Sequence, residues 1–271
     1  MMNAGFRSIF VLAIVILVSI YLHTATIPRM NTKSLQVATD TEPSKTLRVA
    51  LLSDLHIQWS PAAVTMLSEL WSGVIEQTPD VILLAGDYIN DGSSNDDLVS
   101  IGPAIANVFR YSGDIPVVAV LGNHDHWSGA DAWTQHLSEA GVIVLENETV
   151  MLDAIGTCIR GLGDVFTDHF EYVDFPNICD DTLQITLTHD PAGAFSPKVK
   201  GLVLAGHTHC GQISIPFIGP LYVPSQAPTE AHCGLYQDEQ RQVFVSSGVG
   251  TSIIPLRFNA QASWDLITIH Y

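Results

Sequence analysis

Leu47-Arg48-Val49-Ala50-Leu51-Leu52-Ser53-Asp54-Leu55-His56 decides the reading of this chain. A β-forming, mostly apolar run stops at a serine and an aspartate, with a histidine two residues beyond the aspartate. Ligands of open α/β sheets bind outside the carboxyl ends of the strands, so Asp54 and His56 become candidates as soon as the run is read as a strand.

Four more apolar runs end in the same way. Val81–Leu84 leads to Gly86-Asp87, and Val117–Leu121 to Gly122-Asn123-His124-Asp125. Ile185–Leu187 leads to His189, and Leu202–Ala205 to Gly206-His207-Thr208-His209. Helical stretches lie between the early runs. Ser60-Pro61 combines an N-cap residue with proline at the first helical position and predicts a helix to about Gln77. Asn95–Tyr111 and Ser128–Ala140 read as two more, the last closed by Gly141. The resulting βαβαβα order implies parallel strands covered by helices. The second half is richer in strands, expected near Val142–Leu145, Val150–Leu152, Cys158–Gly161, Gln212–Ile215, Gln242–Ser246 and Trp264–His270. The expected fold class is α/β, a mixed sandwich of two sheets with one continuous core.

Five polar clusters at five strand ends can converge on one place, and their residue types suit divalent metals. Imidazole and carboxylate together favour zinc, iron or manganese. In Asp54-x-His56 the alternation of an extended segment puts both side chains on one side, where they can share an ion. The two oxygens of Asp87 can bridge two ions, and Asn123 offers a neutral oxygen to the second. His189, His207 and His209 complete the set. Two ions about 3.5–4 Å apart can activate water and hold both ends of an in-line displacement at phosphorus. His124 adjoins a ligand without being needed as one. It suits a proton donor to the leaving group, with Asp125 orienting its ring.

The order of these clusters resembles the calcineurin-like metallophosphoesterase superfamily over residues 47–271. Ser53-Asp54-Leu55-His56, Gly206-His207-Thr208-His209 before Gly211-Gln212, and Gly248-Val249-Gly250-Thr251-Ser252 are similar to a membrane-anchored bacterial phosphodiesterase branch. That branch includes enzymes resembling the UDP-2,3-diacylglucosamine pyrophosphatase of lipid A biosynthesis. The resemblance implies a four-layer sandwich of two mixed β-sheets flanked by helices. It implies one metal on Asp54, His56, Asp87 and His209, and another on Asp87, Asn123, His189 and His207, with His124 as proton donor and Asp125 behind it. The implied substrate is a phosphoester, lipid-linked or nucleotide-linked, with UDP-2,3-diacylglucosamine as the leading candidate. A phosphomonoesterase and a non-catalytic metal-binding scaffold are the alternatives. Cys210 stands where that branch has glycine. It reads as a small buried residue, as half of a disulfide with Cys233, or as a thiol facing the metals.

The remaining features set the address and the limits. The chain has 271 residues, 47 % of them apolar, and a net charge of −17, which leaves no basic stripe for duplex nucleic acid. Ile9–Leu22 is apolar except for Ser19 and is followed by Arg29 and Lys33. Residues 1–29 are therefore expected as a signal-anchor or signal peptide, 30–46 as a polar linker, and 47–271 as the catalytic domain. The expected location is a bacterial inner membrane, with the domain outside the cytoplasm. Cys158, Cys179, Cys210 and Cys233 form no CxxC pair, which argues against a structural zinc site and leaves disulfides and free thiols open. The proline-rich segment 213–228 reads either as a hairpin packed on the core or as an apolar lip for a membrane or an acyl chain. His126 and His169 are expected on the surface rather than lining the cleft, and Asp164 in a turn rather than as a loop cap near the site.

Overall fold

The computed structural model describes residues 12, 14, 15, 18, 19, 26–37, 44–58, 60–90 and 95–271; over 95–100 only the backbone is described. Two six-stranded sheets face each other. The first runs, in spatial order, β1 (Arg29–Gln36), β14 (Ser263–His270), β2 (Thr46–Leu52), β3 (Val81–Leu84), β4 (Val117–Ala119) and β5 (Ile143–Val144). The second runs β12 (Gly234–Gln237), β13 (Arg241–Val245), β9 (Gly201–Ala205), β8 (Leu183–Leu187), β7 (Thr157–Gly161) and β6 (Glu148–Leu152). Both are mixed: β2, β3, β4 and β5 are parallel, as are β7, β8, β9 and β13, while β14, β6 and β12 supply antiparallel pairings. Three helices, α1 (Pro61–Glu76), α2 (Asn95–Phe109) and α3 (Asn123–Glu139), cover the first sheet.

The alternation inside β2 shows why the run is apolar throughout. Val49 and Leu51 point into the core between the sheets, against Ile185, Leu187 and Leu204. Ala50 and Leu52 point the other way, toward Leu67 and Trp71 of α1 and Leu84 of β3. A strand buried on both faces has no solvent side to carry polar residues. The outer face of the second sheet buries Val203, Ala205, Val243 and Val245 under Leu162, Ala194, Phe170 and Phe195. There the cover is loop and 3-10 turn such as Pro191–Phe195, a thinner fourth layer than the helices opposite. The architecture is the expected α/β sandwich of two mixed sheets flanked by helices.

Helix α1 begins as expected: the Ser60 hydroxyl accepts the Ala63 N–H at 3.1 Å, with Pro61 at the first position. Two expectations need correction. Residues 29–36, inside or next to the expected 30–46 linker, form β1 and pair in parallel with β14. This is an edge strand in which only Leu35 is buried, so its composition is that of a solvated segment, and backbone pairing rather than side-chain burial holds it. The folded domain therefore starts before residue 47. Helix α3 starts at Asn123 rather than Ser128, with Gly122 as its N-cap and a non-helical Gly129 inside it. The Asn123-His124-Asp125 cluster is thus the first turn of a helix, not the loop before one. Most of the expected signal-anchor lies outside the described residues. Among the described residues no helix is long and apolar enough to cross a membrane.

Candidate metal centre

All nine candidate residues meet at the carboxyl ends of β2, β3, β4, β8 and β9, and all are buried to 6 % exposure or less. Nε2 of His56 and His209 lie 3.0 Å apart. Oδ1 of Asp54 is 3.4 Å from His209 Nε2 and 3.9 Å from His56 Nε2. On the other side, His189 Nε2 is 3.2 Å from Asn123 Oδ1 and 3.1 Å from His207 Nδ1. Asp87 Oδ2 joins the two groups, at 3.6 Å from His56 Nε2 and 3.3 Å from His189 Nε2. His124 Nε2 stands 3.9 Å from the same oxygen.

These spacings fit cations. Ligand atoms about 2.0–2.2 Å from one ion lie about 3.0–3.5 Å from each other. The tautomers agree on the second group. His189 Nδ1 is 2.6 Å from the Ala85 carbonyl and His207 Nε2 is 2.7 Å from that of Pro224. A carbonyl only accepts, so each ring donates there and presents its other nitrogen as a lone pair. Two ring lone pairs and an amide oxygen then face one another, a donor set that suits a cation. Burial disfavours charging His189, but the adjacent Asp87 raises its pKa well above the ordinary histidine value. Burial holds His56 down to about 4 against Asp87 and Asp54, and holds His209 well below its ordinary value. Both are in the neutral form that ligates metals. The buried carboxylates of Asp54 and Asp87, both held below the usual carboxylate range, also need compensating charge.

The backbone is built around the same point. Asp54, His56, Asp87, His207 and His209 all have left-handed φ, from 44° to 68°, where non-glycine residues are uncommon. Close packing fixes two glycines. A Cβ on Gly206 would sit 1.6 Å from Ser53 Oγ, and one on Gly122 2.3 Å from Asp87 Oδ1. The Ser53 hydroxyl donates to Asp54 Oδ2 at 2.5 Å, and the His207 N–H donates to the same carboxylate at 3.0 Å. The strand ends thus lock each other's ligands in place.

Asp125 departs from expectation. Its carboxylate serves the backbone instead of the His124 ring, accepting N–H groups of Asp87 (2.7 Å), Tyr88 (2.9 Å) and Gly122 (2.9 Å). As the third residue of α3 it caps that helix and ties it to the turn carrying Asp87. Burial, and then the Asp87 charge, push its carboxyl up to about 8. Cys210 is resolved as half of a disulfide with Cys233, and Cys158 pairs with Cys179. No thiol faces the cluster.

The cluster opens into a cavity of about 350 Å3 whose walls include Trp127, Phe166, Ile213, Leu221, Tyr222 and Ile254. Segment 213–228 is indeed a hairpin, β10 (Ser214–Ile215) with β11 (Gly219–Pro220), but its tip does not pack on the core. Phe217 is fully exposed and Ile218 is 77 % exposed.

Residues 47–211 match the calcineurin-like phosphoesterase family, and the chain belongs to it. It is 28 % identical to the uncharacterized metallophosphoesterase YkuE of Bacillus subtilis, over 72 % of this chain and 69 % of that one. It is 28 % identical to phosphodiesterase YaeI of Escherichia coli, over 82 % of each. An uncharacterized metallophosphoesterase of Helicobacter pylori is 31 % identical over 80 % of this chain, which spans 58 % of that relative's length. The protein is therefore a phosphoester hydrolase with Asp/His clusters able to hold metal ions.

Arg257 is the member of the site that sequence reasoning missed. It is fully buried, donates to His209 Nδ1 at 2.9 Å, and binds the Gly248 and Gly250 carbonyls. Its guanidinium directs His209 Nε2 toward Asp54 and His56. The available signal was an arginine in the apolar stretch Pro255-Leu256-Arg257-Phe258, in a chain with only 11 Lys and Arg. Arg257→Leu should leave the His209, Gly248 and Gly250 acceptors unpaired at about 1 kcal/mol or more each, and lower Tm by at least roughly 6 °C. Calorimetry on the metal-free protein checks this, and an unchanged Tm would remove Arg257 from the account.

Proposed function

We propose that this chain is a two-metal phosphodiesterase or pyrophosphatase acting on substrates with a large apolar group. The observation that carries the reading is Asp87 Oδ2, shared by the two groups of donor atoms. Asp54, His56, Asp87 and His209 would hold one ion, and Asp87, Asn123, His189 and His207 the other. Divalent ions held there, manganese, zinc or iron, would supply water activation and charge neutralisation at phosphorus. His124 lines the cavity beside Asp87 and donates a proton to the leaving oxygen. Asp125 holds the turns that aim Asp87 and His124.

The substrate class rests on the cavity: aromatic and aliphatic walls beside a metal cluster suit an ester whose substituent is a lipid. UDP-2,3-diacylglucosamine, implied by the resemblance, is one member of that class. The address rests on two features, the apolar N-terminal run and the pairing of all four cysteines, which is the habit of oxidising compartments. A membrane tether with the domain outside the cytoplasm accounts for both.

Turnover of an aryl diester, an aryl monoester, a glycerophospholipid and a nucleoside-diphosphate lipid, each with manganese, zinc or iron, tests the reading. Diesters and lipid diphosphates should dominate, and a preference for the monoester would sink it. The lip makes a separate prediction. Burying Phe217 and Ile218 in a bilayer is worth about 1.5–3 kcal/mol each, so Phe217→Ser with Ile218→Ser should weaken vesicle binding at least about tenfold. Turnover of the soluble aryl diester should be unchanged. Equal vesicle affinity in wild type and variant would reject the lip.

A further inference from the structure

Beside the dinuclear cluster lies a second group of donors that the reaction does not use. His126 follows the first turn of α3, Glu146 follows β5, and His169 lies in the loop after β7. One donor atom from each lies within 4.8 Å of the others. The two imidazole rings stack with centroids 3.8 Å apart and planes inclined by 18°. His126 Nε2 approaches Glu146 Oε1 to 3.5 Å.

The His126 side chain is only 4 % exposed, yet neither of its ring nitrogens has a hydrogen-bond partner. A buried polar atom left so is destabilising, and a ligand would recover that cost. The surroundings of His169 prepare a lone pair. Thr167 donates its hydroxyl to Asp164 Oδ2 at 2.8 Å, so toward His169 Nδ1, 3.0 Å away, its oxygen accepts. His169 Nδ1 therefore carries the proton and Nε2 is the free donor. A carboxylate acting through a neighbour on a ligand's second nitrogen is the arrangement that fixes metal-binding tautomers. Asp164, read from the sequence as a turn residue rather than a loop cap near the site, thereby acquires a reason to be buried. Its Oδ1 is a further buried oxygen with no hydrogen-bond partner.

We propose that His126, Glu146 and His169 form a third cation site, of the zinc class, distinct from the dinuclear cluster. Two imidazoles and one carboxylate are a zinc donor set with a position left for water. Glu146 and His169 are exposed, which gives the ion a way in. An ion there would join the first turns of α3, which carry Asn123 and His124, to the loop that holds Phe166 against Trp127 and His207. The site stands independently of the reaction proposed above.

The test is zinc content of the untagged full chain after equilibrium dialysis, compared with His169→Ala and Glu146→Gln. Both side chains are exposed, and Glu146→Gln leaves the stacked rings in place, whereas His169→Ala also removes the ring packed on His126. The site predicts that each variant holds one zinc ion fewer than wild type, three falling to two. The same number in all three proteins would overturn it. So would a loss of more than one ion in both variants, since that would place their effect on the dinuclear cluster.

Discussion

Asp87→Asn should lower diester turnover by at least about a thousandfold, equivalent to about 4 kcal/mol of transition-state stabilisation. The oxygen that changes is Oδ2, which faces His56, His124 and His189 at 3.3–3.9 Å. An amide nitrogen there donates instead of accepting and repels a cation. Oδ1 has a different task, accepting the His124 N–H at 3.0 Å, and the amide oxygen can keep it. The substitution is nearly isosteric, so the circular dichroism of the folded chain should persist. The bound metal should fall, because the two sites share this one carboxylate. A variant with full turnover would end the two-metal account.

His124→Ala should separate proton transfer from metal binding. Positioned general acids contribute about a hundredfold to ten-thousandfold, and most where the leaving group is a poor one. The loss is therefore expected on alkyl diesters, whose leaving alkoxide needs the proton. It should nearly vanish on a nitrophenyl diester, whose leaving anion is stable. Metal content should stay at the wild-type value, since His124 is held by other means. Its N–H binds Asp87, its carbonyl accepts the Ser128 hydroxyl at 2.8 Å, and its ring packs on Trp127. Equal losses on both leaving groups would make His124 a structural residue.

The parts of this molecule that were legible in the sequence are those where side-chain chemistry and backbone position coincide. Val49 to Leu52 is apolar because it is buried on both faces, and that pattern survives in any one-dimensional reading. Asp54, Asp87, Asn123, His189 and His207 follow such strands directly, so finding the strands placed the candidate ligands. Where stability comes from the backbone the pattern is silent. Edge strand β1 is polar and is held by pairing with β14, so it looked like a linker. The start of α3 was misplaced because Gly122 is an indifferent N-cap by composition. The actual cap is Asp125 reaching back, a residue already assigned to the His124 ring. Arg257 was invisible for another reason. Its partners are carbonyls and one histidine distant in sequence, and no local spacing joins 257 to 209. Cys210 and the His126–His169 pair are ambiguous in sequence for the same reason, since tertiary contact decides between a disulfide and a thiol, or between a surface histidine and one at the cleft.

The most direct measurement of the central claim is turnover of an aryl phosphodiester by the wild-type chain, stripped by chelator and then titrated with manganese. The account predicts no turnover in the stripped protein, recovery on adding manganese, and no recovery when the same titration is made on Asp87→Asn. Full turnover by the stripped protein would contradict it.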